Sequence, residues 1–186
     1  MKIRTFIAVD VPENIKEKIF EVEKELMKST GEGVKWEGKE KFHITLKFLG
    51  DVNEEAIDSI YDVLSKSLTG FGKFSITYKG VGAFPDLKRP RVIWVGCEDP
   101  SGKFFELQKI VEDKMSEFGF EKEEKEYHPH ITLGRVKNPK NLAGLIKKIE
   151  SINFEAGAGE VAEVLIMKSD LRPDGSVYTV LRKIKL

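Results

Sequence analysis

Two stretches decide how this chain is read: "FHITLKF" at residues 42–48 and "HPHITLGRV" at residues 128–136. The tetrapeptide HITL stands in both, and it takes two of the only three histidines in 186 residues. Such a recurrence in otherwise dissimilar surroundings marks an internal repeat. Strict alternation puts Phe42, Ile44, Leu46 and Phe48 on one face of a strand and His43, Thr45 and Lys47 on the other. In the second copy Ile131 and Leu133 turn inward, while His128, His130 and Thr132 share the opposite face. Each strand thus presents an imidazole and a hydroxyl ~7 Å apart on its outer side.

Working outward, "IRTFIAV" reads as a strand, and the segment after it carries Pro12 near a helix start with Ile15, Ile19, Val22 and Leu26 at helical spacing. After the first HITL strand a helix runs from about Glu54 to Leu68, with Asn53 as its cap. "KFSITYKGVGAF" and "RVIWVGC" are two strands joined by "PDLKRP", and Ser101 caps a third helix that Gly119 closes. Beyond the second HITL strand, Asn138 opens a fourth helix with Leu142, Leu145, Ile146 and Ile149. "VAEVLIMKSDL", a "RPDGS" turn and "VYTVLRKIKL" end the chain as a hairpin. The order strand, helix, HITL strand, helix occurs at residues 3–68 and again at about 91–149. The pattern predicts a two-lobed α+β fold built on a duplicated unit, each lobe a sheet covered by helices on one side.

Composition narrows the function classes. The 31 basic and 31 acidic residues cancel, so no global basic field drives binding to duplexes, and any nucleic-acid contact must be local. The one cysteine, Cys97, excludes an internal disulfide and a cysteine-based zinc cluster and reads as a buried thiol. "MKIRTFIAVD" lacks the apolar length of a signal peptide and no run reaches membrane-spanning length, so a soluble, cytoplasmic protein is expected.

Two histidines facing one another suit a reaction in which one takes a proton from a nucleophile while the other gives one to a leaving group. Threonine hydroxyls can donate to an anion held between them. Phosphodiester cleavage fits this set and needs no metal. A metal site built from "HPH" and His43 is the competing reading, but the first copy pairs its histidine with Thr, a poor zinc ligand, and neither motif carries a carboxylate cluster. No "GxSxG" elbow points to a serine hydrolase.

The paired H-x-T-x motifs resemble the 2H phosphoesterases, and within them the RNA 2′,3′-cyclic phosphodiesterases, also called 2′-5′ RNA ligase-like proteins. "RTFIAVDVP", "HITLKFLGDV", "HPHITLGRV" and "LIMKSDLRPDGSVYTVL" carry the likeness over nearly the whole chain. The resemblance implies an α+β, bilobal duplicated fold in which two antiparallel sheets flanked by helices surround a central cleft. Residues 1–186 would form one two-lobed domain. It further implies hydrolysis of RNA 2′,3′-cyclic phosphates to 2′-phosphomonoesters. His43 would be the proton donor to the departing 3′-oxygen and His130 the proton acceptor that activates water. Thr45 and Thr132 would hold the non-bridging oxygens. It implies neither a metal nor a cofactor, and as partners only RNA with 2′,3′-cyclic phosphate ends or cyclic nucleotides, without a membrane or an obligate protein partner.

Arg135 matches a position where these proteins often carry Arg after the second motif, yet strict alternation groups it with Ile131 and Leu133. Either a bulge at Gly134 turns it outward to meet phosphate, the favoured reading, or it is structural. His128 reads as an accessory to His130, and Lys47 as a solvated lysine or a contact to the RNA backbone. Lys88, Arg89 and Arg91 make a local basic patch or a charged turn, and Trp36, Phe84 and Trp94 are base-stacking candidates or core. Two other functions fit the same residues: 2′-5′ RNA ligation, the reverse reaction, and an RNA- or nucleotide-binding module without turnover.

Overall fold

The computed structural model describes all 186 residues as nine strands and four α-helices. In order these are β1 (Lys2–Asp10), α1 (Glu13–Met27), β2 (Val34–Trp36), β3 (His43–Asn53), α2 (Ile57–Leu68), β4 (Phe74–Phe84) and β5 (Val92–Glu98). There follow α3 (Lys103–Glu117), β6 (His130–Val136), α4 (Ala143–Ser151), β7 (Glu155–Val161), β8 (Glu163–Arg172) and β9 (Gly175–Lys185). The main strand order is β7-β4-β5-β6-β3-β1-β8-β9, with β2 paired to β6, and every pairing is antiparallel. Strands β3 and β6, which carry the two HITL copies, lie at the centre. Where two sheets were expected, one backbone pair, Ile44 with Ile131, joins the halves into one hydrogen-bonded sheet.

The helices bury the faces their spacing predicts: Ile15, Ile19, Val22 and Leu26 on α1, Ile57, Ile60, Leu64 and Leu68 on α2, and Phe104, Leu107, Val111 and Met115 on α3. Helix α1 leaves β1 yet packs on β7 and α4, whereas α3 leaves β5 yet packs on β3 and α2. Each half's first helix therefore covers strands of the other half, and 36 buried apolar residues form one continuous core. All four helices lie against this core, which leaves the opposite, open face of the sheet to the polar residues of HITL. A second cluster, Phe6, Ala8, Leu165 and Met167 with Tyr178 against it, lies apart from the core.

Several local expectations need correction. The α3 amide of Phe104 is taken by the Asp99 carboxylate at 2.6 Å, while the Ser101 hydroxyl accepts only Lys103 N–H at 3.3 Å. Asn53 makes no side-chain cap, and α4 begins at Ala143, not at Asn138, whose side chain instead accepts the Lys140 amide. Strands β2 and β7 escape the sequence pattern because one is three residues long and the other, "EAGAGEV", is built from glycine and alanine, which are poor strand formers. No helix is long and apolar enough to cross a membrane.

Candidate active site

The two motifs meet at their isoleucines. Ile44 opposite Ile131 in antiparallel register sets His43 across from Thr132, and Thr45 across from His130. Both isoleucines are fully buried, so all four polar side chains share the open face. The two histidines are diagonal neighbours, about 7–8 Å apart in regular geometry.

Alternation then fails at the same letter in both copies. Between β1 and β3 the register steps from Ala8 with Thr45 to Ile7 with Lys47, which leaves Leu46 as an extra residue. Between β5 and β6 it steps from Trp94 with Thr132 to Ile93 with Gly134, which leaves Leu133 extra. A bulge inverts the facing of the residues beyond it. Lys47 consequently turns to the helix side, where its side chain is 4% exposed and bonds Glu112 at 2.6 Å. Both readings of Lys47, a solvated lysine and a contact to the RNA backbone, are thereby overturned, and Phe48, grouped with the core by alternation, is 65% exposed beside Phe6. In β6 the bulge places Arg135 on the His130 face, its Nε 3.5 Å from Glu37. Leu133, not Gly134, is the bulged residue.

The imidazoles are anchored alike. His43 Nδ1 bonds the Lys41 carbonyl at 2.7 Å, and His130 Nδ1 bonds the His128 carbonyl at 2.7 Å. Each Nδ1 therefore carries its proton toward a carbonyl and each Nε2 is left for chemistry. His43 Nε2 lies 3.1 Å from the Thr45 hydroxyl. His128 itself is exposed and contributes its backbone. Tyr127 ties the loop before β6 to β3 by donating to the Thr45 carbonyl at 2.8 Å.

The surroundings differ where the anchors do not. Burial lowers the pKa of both imidazoles. At His43 the Lys41 carbonyl and then Asp10, its register partner on β1, work against that shift. At His130 only the His128 carbonyl opposes, Arg135 pushes the same way as burial, and the register partner is Gly96.

The family model described as "LigT like Phosphoesterase" matches the chain twice in succession, over residues 9–94 and 95–178. The chain belongs to the LigT-like phosphoesterases. It is 38% identical to the RNA 2′,3′-cyclic phosphodiesterase of Methanothermobacter thermautotrophicus, each chain covered completely. It is 40% identical to that of Thermotoga maritima, over 96% of this chain and 93% of the relative. A crystal structure from Thermus thermophilus superposes with a TM-score of 0.80 at 27% identity, covering 98% of this chain and 97% of that one.

In this phosphoesterase the sequence reading missed Phe6, Tyr178 and Asp10. Phe6 and Tyr178 lie 5.0 and 5.2 Å from the His43 ring, Tyr178 edge-on. Phe84 stands edge-on to His130 at 4.9 Å with Trp94 5.2 Å behind it, whereas Trp36 packs with the core. Trp94 lies against bare backbone: a Cβ at Gly82 would come within 2.4 Å of its ring. Lys35 is the register partner of Arg135 and shares its face. The tip of the β8–β9 hairpin meets Lys35 and Lys41, since a Cβ at Gly175 would lie 3.3 and 3.2 Å from their Nζ atoms. Neither amine enters an ion pair. Only alternation along β2 and β9, neither placed beside HITL by the sequence, would have drawn attention to Lys35 or Tyr178.

Proposed function

We propose that this phosphoesterase hydrolyses RNA 2′,3′-cyclic phosphate ends to 2′-phosphomonoesters in a cleft between two duplicated lobes of one domain, residues 1–186. The observation that carries the reading is the Ile44–Ile131 pair, which brings two identically anchored His-Thr pairs to one face. Two full-length relatives bearing that activity in their names support the substrate class.

In the proposed reaction His130 Nε2 takes a proton from water as its oxygen forms a bond to phosphorus. The bond from phosphorus to the 3′-oxygen breaks, and His43 Nε2 gives its proton to that oxygen. Burial favours the neutral form of both rings; Asp10 offsets part of this at His43, whereas Arg135 adds to it at His130, an asymmetry that agrees with the acid and base roles the family resemblance implies. Thr45, Thr132 and Arg135 would hold the non-bridging oxygens, where charge grows in the transition state. No group of three His, Cys, Asp or Glu side chains converges in the structure, and no step needs a metal.

Replacing His43 or His130 by Ala should each lower kcat on a nucleoside 2′,3′-cyclic phosphate by about 10²- to 10⁴-fold while leaving the fold intact. Wild-type turnover abolished by EDTA and restored by zinc would sink the reading. So would a wild type that binds the cyclic nucleotide without cleaving it.

A further inference from the structure

Two buried carboxyls that the reaction above does not use occupy matching places in the two halves. Helix α1 carries Glu23 within Val22-Glu23-x-x-Leu26, and α3 carries Glu112 within Val111-Glu112-x-x-Met115, with these residues all buried. Each carboxyl reaches the loop that leads into a HITL strand. Glu112 Oε1 accepts the Glu123 amide at 2.9 Å and Lys47 Nζ at 2.6 Å, and Lys47 also donates to the Glu121 carbonyl at 2.8 Å. Glu23 Oε1 accepts the Gly38 amide at 3.2 Å. The Gly38 carbonyl accepts the Lys41 amide at 3.1 Å, and the Lys41 carbonyl holds His43 Nδ1 at 2.7 Å. Three hydrogen bonds, joined through the backbone of Gly38 and Lys41, thus link carboxyl, loop and imidazole.

One residue separates the two arrangements. Lys47 follows HITL in β3, and Gly134 follows it in β6. A Cβ at Gly134 would stand 2.8 Å from Val34 Cγ1 and 3.0 Å from the Trp36 ring, so no lysine fits there. Glu23 has no cation of its own: Lys39 is held by Glu13 and Glu17, and Lys148 of α4 by Glu25. The loop faces it instead with Glu37 and Glu40. Burial, and after it these two like charges, outweigh the amide bonds and push its carboxyl up to about 7.

We propose that Glu23 is a positioning residue for His43: it sets the loop whose Lys41 carbonyl orients the ring, without the lysine that locks its counterpart Glu112. The orientation of His43 then follows the protonation of Glu23, because a carboxylate holds the Gly38 amide more strongly than a neutral carboxyl does. His130 is exempt. The proposal rests on His43 being catalytic, but its first test does not.

With ring-nitrogen-labelled histidine, the His43 resonances of the wild type should titrate with a second inflection near pH 7, absent in Glu23→Gln, which keeps an acceptor oxygen and cannot titrate. The His130 resonances should match in both proteins. In kinetics on a nucleoside 2′,3′-cyclic phosphate, Glu23→Ala should lose about 10-fold in kcat with KM within about twofold, and Glu23→Gln should recover most of it. A single inflection at His43 shared by wild type and Glu23→Gln overturns the proposal. Full kcat in a folded Glu23→Ala also overturns it. Should Glu23→Ala fail to fold, the comparison of wild type with Glu23→Gln decides. A wild type without hydrolysis would refute the proposed function, and the resonance titration would still judge Glu23.

Discussion

At the scale of single residues, the informative side chains are charged groups that the fold has taken from water. Lys47 and Glu112 form a pair with side chains 4% and 10% exposed, and Glu112 Oε2 is left without a partner. Replacing Lys47 by Met strands the carboxylate, with an expected loss of about 3–5 kcal/mol. Adding Glu112→Met should return most of that in chemical denaturation, because the desolvation cost leaves with the charge. The histidines make a second prediction. Their folded pKa values lie below the usual imidazole value of about 6.5. The unfolded chain therefore binds more protons below that pH. Their stabilisation is complete above pH ~6.5 and is lost as pH falls toward the folded values. Measured between pH 7.5 and 5, the stability advantage of the wild type over a His43→Asn, His130→Asn double variant should shrink as the solution is acidified.

At the scale of the strand, the bulges at Leu46 and Leu133 decide which side chains reach the open face of the sheet. Alternation reads the motif correctly through Thr45 and Thr132, because hydrophobic patterning and pleat agree that far. It misplaces Lys47, Phe48 and Arg135, since an extra residue in one strand shows itself only against its partner's register, and the partner strands β1 and β5 are remote in sequence. The same limit hid Asp10, which matters through its place opposite His43. Helices were more legible because their periodicity is local; the exchange of α1 and α3 between halves was not, as nothing in an amphipathic face names its partner. Gly134 offers a test at this scale. Ala there meets Val34 and Trp36 too closely, so β2 must shift and carry Lys35 and Glu37 away from Arg135. A fall of about 10-fold in kcat/KM is expected, of the size that loss of one charged hydrogen bond brings.

At the scale of the whole molecule, zero net charge leaves little long-range steering, so the local cations must do the work. Arg135, Lys35 and Lys41 form a row leading from the histidines to the β8–β9 turn, with Glu37 the carboxylate beside Arg135. If an RNA chain follows that row, its KM should rise with salt with a slope near 0.7 per phosphate engaged. The Lys35→Gln, Lys41→Gln double variant should flatten the slope by about 1.4. An unaltered slope would place the chain elsewhere, with the Lys88 and Arg89 loop the next surface to try. The topology has another consequence, in the order of synthesis. Thr5 pairs with Lys168, 163 positions later in the chain (168 − 5), so β1 leaves the ribosome long before the strand that completes it. Until then β1 offers an unpaired edge next to His43, open to the same strand of a neighbouring chain. Polypeptides stopped at Val161 should accumulate as aggregates in a pelleting assay, while release of β8 and β9 lets β8 close that edge.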